Sequence, residues 1–112
     1  MDDSEEPEVV TVDLTKRDPK IRECPDGIDK NVSHLVLAEN LLPGLPPSIG
    51  SLSRLRVLDA SDNQLASLPD EIGSCAMLEE LLLYKNQLKK LPSTLGQLSK
   101  LRVRSHLSLI HI

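Results

Sequence analysis

The chain has 112 residues, 39 % hydrophobic and 27 % charged, with a net charge of −4. That length suits one small domain. Five of the 17 acids, Asp2, Asp3, Glu5, Glu6 and Glu8, stand in the first eight residues, leaving 12 acids against 13 bases elsewhere. No basic stripe of the kind that neutralises phosphates appears along the sequence. Phe and Trp are absent and Tyr84 is the only aromatic, so base-stacking platforms are missing as well and nucleic acid is not expected as a partner. No segment approaches the roughly 20 apolar residues that cross a membrane. The start MDDSEEPE lacks the cationic and apolar runs of a secretory signal, so a cytoplasmic location is expected.

Residues 1–8, acidic and carrying Pro7, read as a solvated tail; the alternative is a docking tail for a basic partner. Val9 opens a series of 23-residue units, at 9–31, 32–54, 55–77 and 78–100. The two clearest run from Leu55 and Leu78. Their first, fourth and sixth positions are Leu55, Leu58, Ala60 and Leu78, Leu81, Leu83. Asn63 and Asn86 are ninth, Leu65 and Leu88 eleventh, Leu68-Pro69 and Leu91-Pro92 fourteenth and fifteenth. Ile72-Gly73 and Leu95-Gly96 follow. The unit at 9–31 is a worn version, expected to act as an N-terminal cap. It has Arg17 in place of asparagine, and a turn, KRDPK, two residues longer than its successors. A further unit opens at Leu101 and then breaks the pattern. Counted in 23s, its fourth position is Arg104 and its sixth His106, so 104–112 reads as an aberrant tail.

A fixed period of this length marks a solenoid. Alternation such as Leu81-Leu82-Leu83 supplies a short strand, and stacking the units lays those strands into a parallel sheet. The asparagines Asn40, Asn63 and Asn86 are expected to form a buried ladder that satisfies backbone groups where the strands end. Proline is predicted at the first position of each outer helical turn, with Asp70 and Glu71 at its positive end. Gly50, Gly73 and Gly96 are assigned to positive-φ turn endings. Cys24 and Cys75 stand where leucines stand in other units, so both read as buried, reduced thiols.

The motif L-x-x-L-x-L-x-x-N-x-L resembles the leucine-rich repeat family. Its 23-residue length with LPxxIG is similar to the intracellular Ras-group type found in Ras-suppressor and Scribble-like scaffolds. The resemblance implies an α/β solenoid with its parallel sheet on the concave face and short helical or 3-10 turns on the convex face. It also implies a scaffold or adaptor that binds a protein partner, a small GTPase or signalling complex among the candidates. An alternative is the regulatory fragment of a larger enzyme such as a kinase, cyclase or ubiquitin ligase.

Binding choice is expected on the outward rows of the sheet, which the repeat leaves unconstrained. The third positions are Thr11, His34, Val57, Glu80 and Val103, and the fifth Asp13, Val36, Asp59 and Leu82. The seventh are Thr15, Ala38, Ser61 and Tyr84, flanked at the eighth by Lys16, Glu39, Asp62 and Lys85. Leu82 and Tyr84 beside Asp59, Asp62 and Glu80 resemble an apolar hot spot with an acidic rim. His34 is placed near Asp59, but no nucleophile completes a catalytic set, and neither the cysteines nor the histidines have metal-ligand spacing. No enzyme activity, cofactor or metal is expected. Self-association through an open edge at Leu81 to Leu83 is expected, because nothing regular follows to cover it.

Overall fold

The computed structural model describes residues 9–25 and 27–105. The expectations for residues 1–8 and for His106 to Ile112 lie outside them. Five three-residue strands follow in chain order: β1 Thr11–Asp13, β2 His34–Val36, β3 Val57–Asp59, β4 Glu80–Leu82 and β5 Arg102–Arg104. They make one parallel sheet ordered as in the sequence. From β1 to β4 each strand pairs with residues 23 further on, Val12 with Leu35, Leu35 with Leu58, and Leu58 with Leu81. Those inward leucines of β2 to β4 are fully buried. The opposite wall of the core comes from three 3-10 helices, Pro47–Ser51, Asp70–Ser74 and Ser93–Gln97, which bury Ile49, Ile72 and Leu95. The chain is an α/β solenoid of short turns.

The asparagines tie each turn to the one before it. Asn63 Nδ2 donates to Leu37 O at 2.9 Å and to Ala60 O and Ser61 O at 3.1 Å, while its Oδ1 accepts Leu42 N–H at 3.0 Å. Asn40 and Asn86 repeat the pattern one unit earlier and later. Asn40 and Asn63 are buried. Asn86 is half-buried, a correction to the fully buried ladder, because no described asparagine turn stacks on its downstream side. In the first unit Pro19 offers no N–H at the place that Leu42 fills, so Asn40 Oδ1 takes Arg17 N–H and Ile21 N–H instead. The longer first turn shows in the bonding too. Leu41 N–H bonds Ile21 O, whereas its equivalent Gln64 bonds Leu42 O, so Ile21 stands two residues late. Val12, Leu14, Ile21, Cys24 and Ile28 are only partly buried against the core they cover.

Two expectations about the convex side need correction. Pro46, Pro69 and Pro92 are the extended residues just ahead of the 3-10 helices; only Pro47 occupies a first helical position. Gly50 and Gly73 lie inside those helices, and among the described glycines only Gly27 has positive φ. Crowding explains them. A Cβ on Gly50 would meet Glu71 O at 2.6 Å, and one on Gly73 would meet Thr94 Cβ at 2.6 Å and Thr94 O at 2.8 Å. Each glycine lets the next outer turn approach. Asp70 and Glu71 do occupy the first turn of their helix. Cys75 is buried and its Sγ donates to Ile49 O at 3.3 Å; burial pushes its pKa up to about 11. Cys24 is half-buried.

The largest departure is at β5. Leu101 N–H bonds Leu98 O just as Leu78 N–H bonds Cys75 O, so Leu101 keeps the first position. The strand then slips by one, pairing Glu80 with Arg102, Leu81 with Val103 and Leu82 with Arg104. Val103, expected outward, is therefore inward, and Leu101 and Val103 pack against the core. Arg104, expected inward and assigned to the tail, ends the strand exposed, its Nε 3.4 Å from Glu80 Oε2. A one-residue slip exchanges the two faces of a strand, and here it removes an arginine from the core. It also means that β4 is not an open edge. Val103→Ser is expected to cost about 1–2 kcal/mol and Arg104→Ser less than about 0.5 kcal/mol, read from urea midpoints. The reverse order would restore the unslipped register.

Candidate functional site

The register turns the outward rows into neighbours on one face. His34, Val57, Glu80 and Arg102 run side by side, and so do Val36, Asp59, Leu82 and Arg104. The slip thus adds two arginines to a face from which it withdraws Val103. His34, Val36, Val57, Asp59, Glu80, Leu82 and Tyr84 are half-buried, and Asp62 and Lys85 are exposed. Asp59 lies between Val36 and Leu82, which brings the predicted apolar residues and acids together.

Several of these side chains are held locally. Asp59 Oδ1 accepts Ser61 N–H at 3.0 Å, a turn motif that Asp13 repeats with Thr15. Hydrogen bonds from the Thr15 hydroxyl and N–H hold the Asp13 carboxyl below its usual range. Ser61 Oγ in turn accepts Tyr84 N–H at 3.1 Å. His34 does not sit opposite Asp59. It pairs with Val57, and its Nδ1 lies 3.0 Å from Ser33 Oγ, which accepts Val10 N–H at 3.0 Å. Ser33 is buried in that role, so the pair is a strap between turns. Among the described residues no three His, Cys, Asp or Glu side chains gather to hold a metal ion, and no helix is long and apolar enough to cross a membrane.

Sequence reasoning missed the conformation of the eighth positions. Lys16, Glu39, Asp62 and Lys85 have φ of 50°, 59°, 57° and 56°. Non-glycine residues enter this left-handed region only where surrounding structure holds them. Here their N–H groups do so: those of Lys16, Glu39 and Asp62 reach Ala38 O, Ser61 O and Tyr84 O in the following turn. The main signal was the shared position itself, since of these residues only Asp62 is of a type that favours positive φ.

The leucine-rich-repeat family model matches residues 54–75. A solved leucine-rich-repeat protein of Leptospira interrogans superposes with a TM-score of 0.71 and 31 % identity over 82 % of this chain. The chain spans only 25 % of that protein's length. No curated protein sequence matches it. The repeats, the register and these similarities agree: the chain carries leucine-rich repeats and folds as a leucine-rich-repeat solenoid. Such a domain is, in general, a protein-interaction module.

Proposed function

We propose that the module works as a scaffold or adaptor in cytoplasmic signalling and takes a protein partner on the outward face of its sheet. The adjacency of Val36, Asp59 and Leu82, with Tyr84 two residues beyond, carries the reading. Half-buried apolar and aromatic groups ringed by carboxylates combine an anchor with a polar margin. The 23-residue LPxxIG unit supports kinship with Ras-suppressor and Scribble-like scaffolds, which makes small GTPases and their complexes the first partners to try. A regulatory role within a larger enzyme would use the same face and differ only in what the repeats are joined to.

Replacing Leu82 and Tyr84 together with serine tests the face. The circular-dichroism spectrum should stay as in the parent, because neither residue belongs to the buried core. Capture of the partner should fall by at least about tenfold, the loss of one strong anchor. Gln87→Ala, outside the face, should bind as the parent does. Unchanged capture by the double variant would remove these residues from the interface.

A further inference from the structure

Cations spread through the sequence are drawn into a row where each turn enters its strand. Lys30 stands two residues ahead of Val32, Arg54 one residue ahead of Leu55, and Lys100 and Arg102 flank Leu101. All four are exposed, and none forms an ion pair with a described residue. Asp29, next to Lys30 in sequence, and the groove-lining Glu79 and Glu80 are engaged. Glu79 Oε2 holds Arg56 Nε at 3.1 Å, Glu80 holds Arg104, and Asp29 Oδ1 accepts Asn31 N–H at 2.8 Å. Met77, 45 % exposed, occupies the position equivalent to Arg54 and Lys100. The row ends at a groove of about 690 Å³, lined by Glu79, Glu80, Ser99, Lys100, Leu101 and Arg102, at the site of the register slip.

A line of unpaired cations beside a groove selects an anionic, extended segment. The chain's own acidic residues Asp2, Asp3, Glu5, Glu6 and Glu8 directly precede Val9, the first position of the first unit. Four strand spacings separate β1 from β5, roughly 19 Å. Seven extended residues reach about 24 Å. Attachment at Val9 also gives the segment an effective concentration on the order of millimolar at the rim, well above that of a second copy in dilute solution. We propose that the strand-entry rim is a docking surface for acidic peptide and that its occupant is the chain's own segment Asp2–Glu8, acting in cis. The rim adjoins the partner-binding face and shares Glu80 and Arg102 with it, but Lys30, Arg54 and Lys100 lie outside that face.

The test treats the full chain at low protein concentration and low salt with a zero-length carbodiimide, which joins carboxylates to lysines in contact. Peptide mapping of the monomer should find the leader's carboxylates joined to Lys30 and Lys100, with little product at Lys85, Lys89 and Lys90 beyond the far ends of the strands. About 0.5 M salt should abolish the Lys100 product. The exposed double replacement Arg54→Ser with Arg102→Ser should lower it severalfold while leaving the circular-dichroism spectrum unchanged. Products spread evenly over all lysines, confined to Lys85, Lys89 and Lys90, or found only in cross-linked dimers would overturn the proposal.

Discussion

Asn63→Ala is expected to lower stability by about 2–4 kcal/mol, one of the two largest effects of any single change considered. The side chain makes four hydrogen bonds in a buried position, but the four losses are unequal. Leu37 O still receives Asn40 Nδ2, Ala60 O still receives Asn86 Nδ2, and Ser61 O still receives Glu39 N–H. Leu42 N–H has no second acceptor among the described bonds and is left buried, which accounts for about 1–3 kcal/mol of the cost. Asn63→Asp keeps an acceptor for Leu42 N–H but should not restore stability, because its second carboxylate oxygen would face three carbonyls. Asn86→Ala should cost less, since that side chain is half-buried. Urea unfolding midpoints measure all three, and a parental midpoint for Asn63→Ala would defeat the account.

Gly73→Ala is the second. A methyl at 2.6 Å from Thr94 Cβ and 2.8 Å from Thr94 O must push one outer turn off the next, at a cost of about 1–3 kcal/mol. Thr94 is not free to yield, because its Oγ1 donates to Asp70 O at 2.8 Å and so ties those two turns together. Gly44→Ala is the matched control. Nothing lies within 4 Å of its added carbon, and its φ is not positive, so it should be neutral or stabilising by up to about 1 kcal/mol. Thermal unfolding of the two variants side by side gives the comparison. Equal midpoints would mean that the outer turns are not in close contact.

The stacked architecture was legible because the 23-residue period dictates which side chains meet. Leu35, Leu58 and Leu81 are aligned by arithmetic alone, and so are the asparagines that close their turns. What escaped were outcomes of competition between terms. At Leu101 the period and the cost of a buried arginine conflict, and the second prevails by dropping one residue. The alternation Arg102-Val103-Arg104 carried that signal locally, but counting in 23s hides it. The glycines were misread because one residue type serves two needs, positive φ and close approach. Only the turn opposite, at Glu71 or Thr94, distinguishes them. The outward residues were legible in position, since alternation fixes which way they face. Their neighbours at the last strand were not, because those depend on the slip.

The asparagine bonds all run one way. Each amide contacts carbonyls of its own turn and of the turn before, and each Oδ1 accepts only from the turn before. A turn therefore cannot lock itself; its successor holds the key. A ribosome, which releases the N-terminal end first, would present the turns in the order in which these latches close. Leu14 O waits for Asn40, Leu42 N–H for Asn63, and Leu65 N–H for Asn86. The turns that carry Asn40, Asn63 and Asn86 thus each act as the bolt on the turn before, and synthesis delivers them in that same order.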